Sequence, residues 1–571
     1  MESADALWSA LQQWVHRFDG VSAESQDFRA VTRARQGLEQ DRQQLFALKA
    51  IIEGRLNALT PVARLPSEIL ARIFSMVALD EPIVTHSRDY QNLEPGGPTS
   101  SAAKRMGWIK VTHVCHYWRE VALAHPALWE RVSFSIGPEW TEELLARSKG
   151  APIIVDLRGA QPDSDHSWYD HLCNHLGHMK ALYMDPKYTH IGFLALPAPM
   201  LEILDFCHSR YSGPLTVSPP LPIFADHAPR LRSLTLYCWN PTPWRSPLFN
   251  SLTYLMIKGD ARRSSFPGDG ERFPIFPSVD ALVGALRSLE SIETLILGDC
   301  LPLDSPNIGL SPSHTISLPR LTRLLVDGNF WKCGNFMSIL RHADGFKAMF
   351  KCFAPSVTVE ALQRVLPALT AHLHSSHSIA PSADRQPTLL VARSEHELGF
   401  GVWTTELSSA DNDRSYGIFK GVEQYRDGVD SFQSDVSLHI FSRQAIPEST
   451  HIAMIGALFD HVDLRHIRHL HTHDCGTPEI WACLSACCPR TRRIDAPDLS
   501  TFSTVLQYLR TNINSEAAGH TRPASAAVAF PTLEVLVTKT YTLTKYTSPE
   551  LEDDVVRARA EAGYPFEVVG K

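Results

Sequence analysis

The feature that most constrains the fold is a short apolar signature that is repeated along the chain. In each copy, one apolar residue is followed by a second three positions later and by a third five positions later. The clear copies are LEILDF from Leu201, LRSLTL from Leu231, LTYLMI from Leu252, IETLIL from Ile292, LTRLLV from Leu321 and LEVLVT from Leu533, and weaker copies are MKALYM from Met179 and IRHLHT from Ile467. The alternation within the signature predicts short strands that bury one side by stacking on their neighbours.

Segments with apolar residues at helical spacing lie between these strands. They are VDALVGALRSL, FMSILRHADGFKAMF, VEALQRVLPALTAHL, HIAMIGALFDHV, PEIWACLSACC and LSTFSTVLQYLR. Further strands are expected at PTLLVAR, FGVWTTE and VSLHIFSR. The combination resembles a leucine-rich repeat, although the copies are spaced irregularly. The resemblance implies that residues 137–571 form an irregular, leucine-rich-repeat-like α/β solenoid whose parallel strands line one concave surface.

Composition and charge argue against several classes of protein. The net charge of −8 leaves no basic surplus for a phosphate backbone, so we expect no nucleic-acid partner. We find no run of about 18 apolar residues and no basic leader followed by an apolar stretch, so we expect no membrane association. The 11 cysteines are too sparse for a disulfide scaffold, which favours reduced thiols and a cytoplasmic or nuclear location.

Residues 1–62 are predicted to form an N-terminal helical segment. Leu38, Leu45, Ile52 and Leu59 follow one another at seven-residue spacing, with Leu48 beside them. Such a stripe is compatible with a short coiled coil and also with a helix that packs on its own neighbour in the fold.

Two short amphipathic helices are predicted between Leu65 and Trp129. The first lies in LPSEILARIFSMVALDEP, where apolar residues keep to one face for two turns and Pro66 suits the first turn. The second shows helical spacing from Val111 through VCHYWREVA and ends before His125, because Pro126 disfavours helical geometry in the residue before it. Between the helices, residues 81–107 have the composition of a surface loop, with EPGGPTSSAAK.

These two helices resemble the F-box, the helical module that binds the Skp-type adaptor of cullin-RING ubiquitin ligases. The domain would span residues 63–136, and its inserted loop resembles the F-box-like proteins that are abundant in mushroom-forming fungi. The resemblance implies adaptor contacts by Leu65, Pro66, Ile69 and Leu70, with Val114, Cys115 and Trp118 supporting or joining that surface. The alternative is that all seven side chains belong to the core of the domain.

On the concave surface of a solenoid, the residues between the leucine-type positions point outward. By this register the candidates for substrate binding are Asp205, Thr235, Tyr237, Arg323, Asp327, His469, His471 and Lys539. They carry mixed charges and do not suggest a single class of ligand. The alternative for each of them is a solvated position without a partner.

The histidine cluster around His469, His471, His473 and Cys475 is the strongest hint of chemistry. Side chains on one straight strand spread apart, whereas zinc needs about four converging ligands, so we expect no metal site. We also find no nucleophile elbow, phosphate loop or dinucleotide fingerprint. Neither a cofactor nor catalysis is therefore expected.

The leading hypothesis is a non-catalytic substrate receptor of a Skp-cullin-F-box ubiquitin ligase. The F-box helices would bind the Skp-type adaptor, and the repeat array would hold a protein substrate that the sequence does not identify. A second hypothesis is a scaffold that does not engage the ligase, because its helices are covered by its own N-terminal helix or repeats. A third, a metal-dependent enzyme, depends on the histidine cluster alone.

Overall fold

The chain folds as two compact units, Met1–Ala160 and Gln161–Lys571, which are described separately below. In the computed structural model, the described residues are 8–9, 12–13, 16, 28–83, 107–134, 137–157, 167–184, 191–206, 222–237, 246–259, 275–303, 311–342, 346–354, 359–376, 387–403, 436–442, 444–514, 528–538 and 549–570. A helical N-terminal region is followed by a mixed α/β region with a large sheet.

The first unit is mainly helical. In chain order its α-helices and strands are α1 Phe28–Ala58, α2 Ser67–Asp80, α3 His116–Ala124, β1 Arg131–Ser133, α4 Pro138–Ser148 and β2 Ile153–Asp156. Short 3-10 helices span Pro61–Arg64, Gly107–His113 and Pro126–Trp129. β1 and β2 pair in parallel, and α4 connects them.

The second unit contains the remaining strands and helices. Its strands are β3 Met179–Met184, β4 Ile203–Phe206, β5 Ser233–Tyr237, β6 Tyr254–Lys258, β7 Thr294–Gly298, β8 Ile316–Leu318, β9 Arg323–Gly328, β10 Leu340–His342, β11 Lys347–Ala354, β12 Thr388–Ser394, β13 Glu397–Trp403, β14 Val436–Ser442, β15 His469–His473, β16 Arg493–Asp495, β17 Val535–Thr538 and β18 Glu567–Gly570. Its helices are α5 Ser167–His175, α6 Val279–Arg287, α7 Phe330–Ile339, α8 Val359–Ser376, α9 Glu448–His461, α10 Pro478–Cys487, α11 Leu499–Asn514 and α12 Pro549–Glu561.

The large sheet follows the chain except at one place. Within the second unit the strand order is β3-β4-β5-β6-β7-β9-β11-β14-β13-β12-β15-β16-β17-β18, and β8 pairs with β10 separately. β13 is antiparallel to both of its neighbours, while the other pairs in this unit are parallel. Only Glu395 and His396 separate β12 from β13, and a connection this short joins antiparallel strands. This hairpin departs from the all-parallel arrangement implied by the repeat.

The repeated signature forms the core beside the sheet. Its first position is buried in each copy, as at Leu201, Leu231 and Leu252, and so is its fourth position, as at Leu204 and Leu234. The second position joins successive copies through the backbone: the N–H of Glu202 donates to the carbonyl of Lys180, and the N–H of Arg232 donates to the carbonyl of Glu202. This ladder fixes the register in which successive copies stack.

Two predicted helices differ from the structure. FMSILRHADGFKAMF contains only the end of α7, followed by β10 and the first half of β11. β11 buries both faces, so its apolar residues do not alternate with exposed polar ones and do not distinguish a strand from a helix. The helix predicted from Val111 is interrupted at Cys115, which has extended backbone angles and caps α3. EPGGPTSSAAK lies outside the described residues.

Candidate functional site

Helix α2 has one buried apolar face and one exposed apolar face. Leu70, Ala71 and Phe74 are buried in the first unit. Ile69 and Met76, seven residues apart and therefore on one side of the helix, are 47% and 53% exposed. The two faces arise because the apolar stripe of this helix is wider than the surface available to cover it within the described part of the unit.

A hydrogen bond joins helix α3 to the segment just before α2, and an aromatic contact joins it to α2 itself. The Tyr117 hydroxyl donates to the carbonyl of Leu65 over 2.9 Å. The rings of Trp118 and Phe74 lie 5.1 Å apart between centroids. The Sγ of Cys115 accepts from the N–H of Trp118 at the beginning of the helix. Cys115 therefore acts as a helix cap, and Trp118 covers the core with its half-buried ring.

The two ends of the insertion meet in the structure. The N–H of Trp108 donates to the carbonyl of Glu81 over 2.8 Å, and Lys110 forms an ion pair with the carboxylate of Glu81. Gly107 has a φ of +50°, and a Cβ there would lie 2.3 Å from the carbonyl oxygen of Pro82. Only glycine fits this close approach without strain. The segments on the two sides of the insertion are therefore held together. The helical module, residues 62–135, is continuous in space across it.

The centre of the module is built around Trp129. Its indole N–H donates to the carbonyl of Ala122 over 2.8 Å. The ring of Trp108 meets it edge-on at 5.0 Å, and the guanidinium of Arg147 lies 4.4 Å from its centroid. Trp129 is fully buried, so these contacts join α3, the 3-10 helices and α4 into one core.

The seven residues that the resemblance singled out therefore have different positions. Pro66, Ile69 and Val114 are exposed, and Leu65, Cys115 and Trp118 are half-buried. Leu70 is completely buried, so it belongs to the core and is unable to contact a partner in this conformation. The sequence reasoning missed Met76 and Leu79, which are also exposed apolar residues of α2. The spacing of Met76 from Ile69, two helical turns, was the signal that could have identified it.

In the second unit, strands β3 to β6 carry a partly exposed face. Asp205 and Thr235 are cross-strand neighbours on it, and Tyr183 is the neighbour of Asp205 on β3. Tyr237 lies beside Lys258 at the carboxyl ends of β5 and β6. Burial raises the pKa of Tyr254 well above its usual range, and the nearby Asp205 charge adds to this. This face is therefore lined by tyrosines, with the carboxylate of Asp205 and the ammonium group of Lys258 beside them.

On the central strands, the same face of the sheet is buried. Met256, Ile296, Leu325 and Met349 occupy equivalent register positions on β6, β7, β9 and β11, and all four are buried. An open concave surface, as implied by the repeat, would leave such positions exposed. The prediction that outward positions are accessible is therefore wrong for this part of the sheet.

A group of charged side chains lies at the carboxyl end of these central strands. Asp327 on β9 is the register neighbour of Lys351 on β11. Burial raises the pKa of Asp327 to about 7, with the Asp299 charge acting in the same direction, and burial lowers the pKa of Lys351 to about 8. Arg323, at the other end of β9, is partly exposed, and Lys539 lies outside the described residues.

His469 and His471 are held by a buried carboxylate. Nε2 of His469 lies 3.2 Å and Nδ1 of His471 lies 3.6 Å from Oδ2 of Asp495. Arg493 donates from Nε to Oδ1 of Asp495 over 2.8 Å. Burial alone would raise the pKa of Asp495, but the two histidines beside its carboxylate and the hydrogen bonds from Arg493 hold it well below its usual range. The structure corrects the predicted contact of His469 and His471 with substrate. Both side chains are buried beside Asp495.

His473 takes part in a different cluster. Ligand atoms of His473, Asp474 and Asp498 lie within 4.8 Å of one another. The Asp498 carboxylate accepts from the backbone N–H groups of Thr501 and Asp474, at the start of α11. Nδ1 of His473 lies 3.1 Å from Oδ2 of Asp474. Through these hydrogen bonds, Asp498 caps the start of α11. The neighbouring thiol of Cys475 is buried, and this burial raises its pKa to about 12.

A small cavity lies beside this cluster. Its volume is about 70 Å³, and Arg393, Glu397, His439, Phe441 and His473 are among the residues that line it. Burial and the Lys351 charge lower the pKa of His439 to about 3, so the imidazole is neutral. Ligand pockets are typically about 300–1,000 Å³. This cavity is several times smaller than that range.

Comparison with known families identifies the helical module. Residues 62–135 match the family model described as F-box-like. F-box proteins are generally non-catalytic subunits of ubiquitin ligase complexes, and F-box domains typically bind Skp-type adaptors. A search among curated proteins gives no match for the chain. Across the described ranges, no helix combines the length and apolar character needed to span a bilayer.

Proposed function

We propose that the chain is the substrate-recognition subunit of a Skp-cullin-F-box type ubiquitin ligase. The observation that carries the proposal is the exposed apolar face of α2 within the F-box-like segment. The chain would perform no bond chemistry itself, and other subunits would transfer ubiquitin. It would act in the cytoplasm or the nucleus.

The adaptor surface would consist of exposed and half-buried residues of α2 and of the segments that flank α2 and α3. It comprises Leu65, Pro66, Ile69, Val114, Trp118 and, in addition, Met76. Leu70 and Cys115 would support it from within, as a core residue and a helix cap. Each Leu, Ile or Met side chain gains about 1.5–3 kcal/mol on full burial, so half-exposed anchors supply about half of that each on docking. A few such anchors offset a large part of the association cost of about 4–15 kcal/mol.

The substrate surface would be the partly exposed face of β3 to β6 in a leucine-rich-repeat-like array. Its residues are Tyr183, Asp205, Thr235, Tyr237 and Tyr254, and Arg323 would extend it along β9. Tyrosine is enriched at protein interfaces because it buries a large ring and keeps a polar end. The backbone ladder that joins the signature copies supports the repeat-like arrangement of these strands.

The adaptor part is tested by measuring the affinity of the purified chain for a Skp-type adaptor. We expect micromolar or tighter binding by the wild type and loss of binding in an Ile69→Asp, Met76→Asp variant. Phe46→Asp is the matched control, because Phe46 is also an exposed apolar residue but lies outside residues 62–135. If the folded wild type does not bind the adaptor, the scaffold hypothesis replaces this one.

The substrate part is tested in cells of the source organism by comparing ubiquitinated proteins. A Tyr183→Ala, Tyr237→Ala variant should bind the adaptor as the wild type does and lose a subset of ubiquitinated proteins. Arg323→Glu should weaken the same subset. Loss of adaptor binding in these variants, or an unchanged set of ubiquitinated proteins, would contradict the assignment of this face.

A further inference from the structure

Helix α1 presents a long apolar surface. None of its 31 residues is buried. Its exposed large apolar side chains are Phe28, Leu38, Leu45, Phe46, Leu48, Ile51, Ile52 and Leu56. In proteins most helical stability comes from packing an apolar face against another element. The exposed surface of α1 therefore points to a partner outside the described part of the unit.

The apolar residues of α1 follow a heptad pattern. When Leu38 is placed at position a, the a positions are Val31, Leu38, Leu45 and Ile52, and the d positions are Ala34, Asp41, Leu48 and Arg55. Six of these eight positions are apolar. An a/d seam of this kind packs against another helix with the same repeat, and a second copy of the chain provides one.

The two charged d positions determine the orientation of the pair. In a parallel pair, Asp41 would face Asp41 of the other copy and Arg55 would face Arg55, so both layers would bring like charges together. In an antiparallel pair with Leu45 of one copy beside Leu48 of the other, Asp41 stands opposite Ile52. Arg55 of the other copy then lies three residues away, about 4.5 Å along the axis. Each Asp41 is thus within reach of an Arg55.

The flanking charges are compatible with this orientation. Arg42 and Lys49 occupy e positions, which lie near each other across an antiparallel seam. Arg42 forms an ion pair with Glu39 over 2.6 Å, and Lys49 with Glu53 over 3.6 Å, on the outer side of the same helix. These glutamates reduce the repulsion between the two e-position cations.

We propose that two copies of this chain associate through an antiparallel coiled coil of their α1 helices, specified by Asp41 and Arg55. The helix ends at Ala58, and the F-box-like segment begins at residue 62. The dimer would therefore bring together two F-box-like domains. This inference depends on the surface of α1 and not on the proposed ligase function, since a scaffold could dimerise in the same way.

The test is the mass of the full-length chain in solution, measured by size-exclusion chromatography with light scattering over a range of concentrations. The wild type should have twice the 63.7 kDa mass of one chain. Asp41→Arg or Arg55→Asp alone should weaken dimerisation at least about tenfold, because each places like charges at both ends of the seam. The double variant Asp41→Arg, Arg55→Asp should restore the affinity to within about threefold.

Two further variants separate the seam from general effects on the helix. Leu45→Asp with Leu48→Asp should give a monomer, whereas Phe46→Ala, at an outer b position, should remain a dimer. A monomeric wild type at tens of micromolar, or a dimer that tolerates Leu45→Asp with Leu48→Asp, would overturn the proposal. Single charge variants that dimerise as the wild type does would also overturn it, because that result indicates a parallel pair or another interface.

Discussion

Ile69 and Leu70 are adjacent in α2, and their truncation should have different consequences. Leu70 is fully buried, so Leu70→Ala should destabilise the helical module by about 2–5 kcal/mol. Ile69 has 47% of its surface exposed. Ile69→Ala therefore removes only about half of the 1.5–3 kcal/mol that full burial provides, and the better helix propensity of alanine offsets a few tenths of that loss.

The other half of the Ile69 contribution should appear in binding. If the exposed part of this side chain becomes buried against the adaptor, Ile69→Ala loses about 0.7–1.5 kcal/mol of affinity, or about 3- to 12-fold in Kd. Phe46→Ala controls for removing an exposed apolar side chain elsewhere, and it should leave the adaptor affinity unchanged. The measurement is titration of the purified chain with the adaptor.

Because the chain has two units, global unfolding does not isolate the helical module, and hydrogen exchange of the α2 and α3 amides is the suitable assay. Leu70→Ala should accelerate their exchange by roughly 30-fold or more, and Ile69→Ala by less than about tenfold. Equal acceleration by the two variants would refute the separation of core and docking faces. Unchanged adaptor affinity in Ile69→Ala would refute the assignment of the exposed face.

The remaining predictions concern the adaptor surface and the second unit. Leu65→Ala with Pro66→Ala should weaken adaptor binding in a pull-down and leave the circular dichroism spectrum unchanged; persistent full binding would count against this surface. The pKa of His439 is about 3 in the folded chain and about 6.5 in the unfolded chain. The stability that its neutral imidazole contributes to the fold is therefore fully present above pH 6.5 and is lost as the pH falls. Between pH 7.5 and pH 5 the wild type should therefore lose about 2 kcal/mol more unfolding free energy than His439→Asn, and equal losses would contradict the buried neutral state. Asp495→Ala should cost about 3–5 kcal/mol in urea unfolding, because Arg493 and His469 lose their buried acceptor; an unchanged midpoint would contradict the network.

The sequence was sufficient for the strands that carry the signature and for most of the helices between them. Leu201, Leu231 and Leu252 occupy the same position in successive copies, and a backbone ladder joins those copies. The failures occurred where local pattern is ambiguous. β11 is buried on both faces, so its apolar residues do not alternate and fit a helical pattern equally well until the neighbouring strands are known.

The candidate sites were only partly predictable for a related reason. Periodicity places Ile69 and Leu70 on a helix, but it does not tell which side of a wide apolar stripe the core covers. Likewise, alternation places His469 and His471 on one face of β15, but not the buried Asp495 that they contact on the neighbouring strand. Burial of Met256 and Ile296 is also a tertiary effect, because alternation alone predicts an outward position for them.

The proposed function requires this chain to connect a cullin-RING ligase to a substrate, with its F-box-like domain as the part that binds the adaptor. Its most direct test is to mix the purified full-length chain with the Skp-type adaptor and a cullin-RING pair, and to determine the composition of the complex by size-exclusion chromatography with light scattering. We expect one species that contains all four proteins and that loses this chain when Ile69 and Met76 are changed to Asp. A folded wild-type chain that elutes apart from an intact adaptor–cullin–RING complex would contradict it.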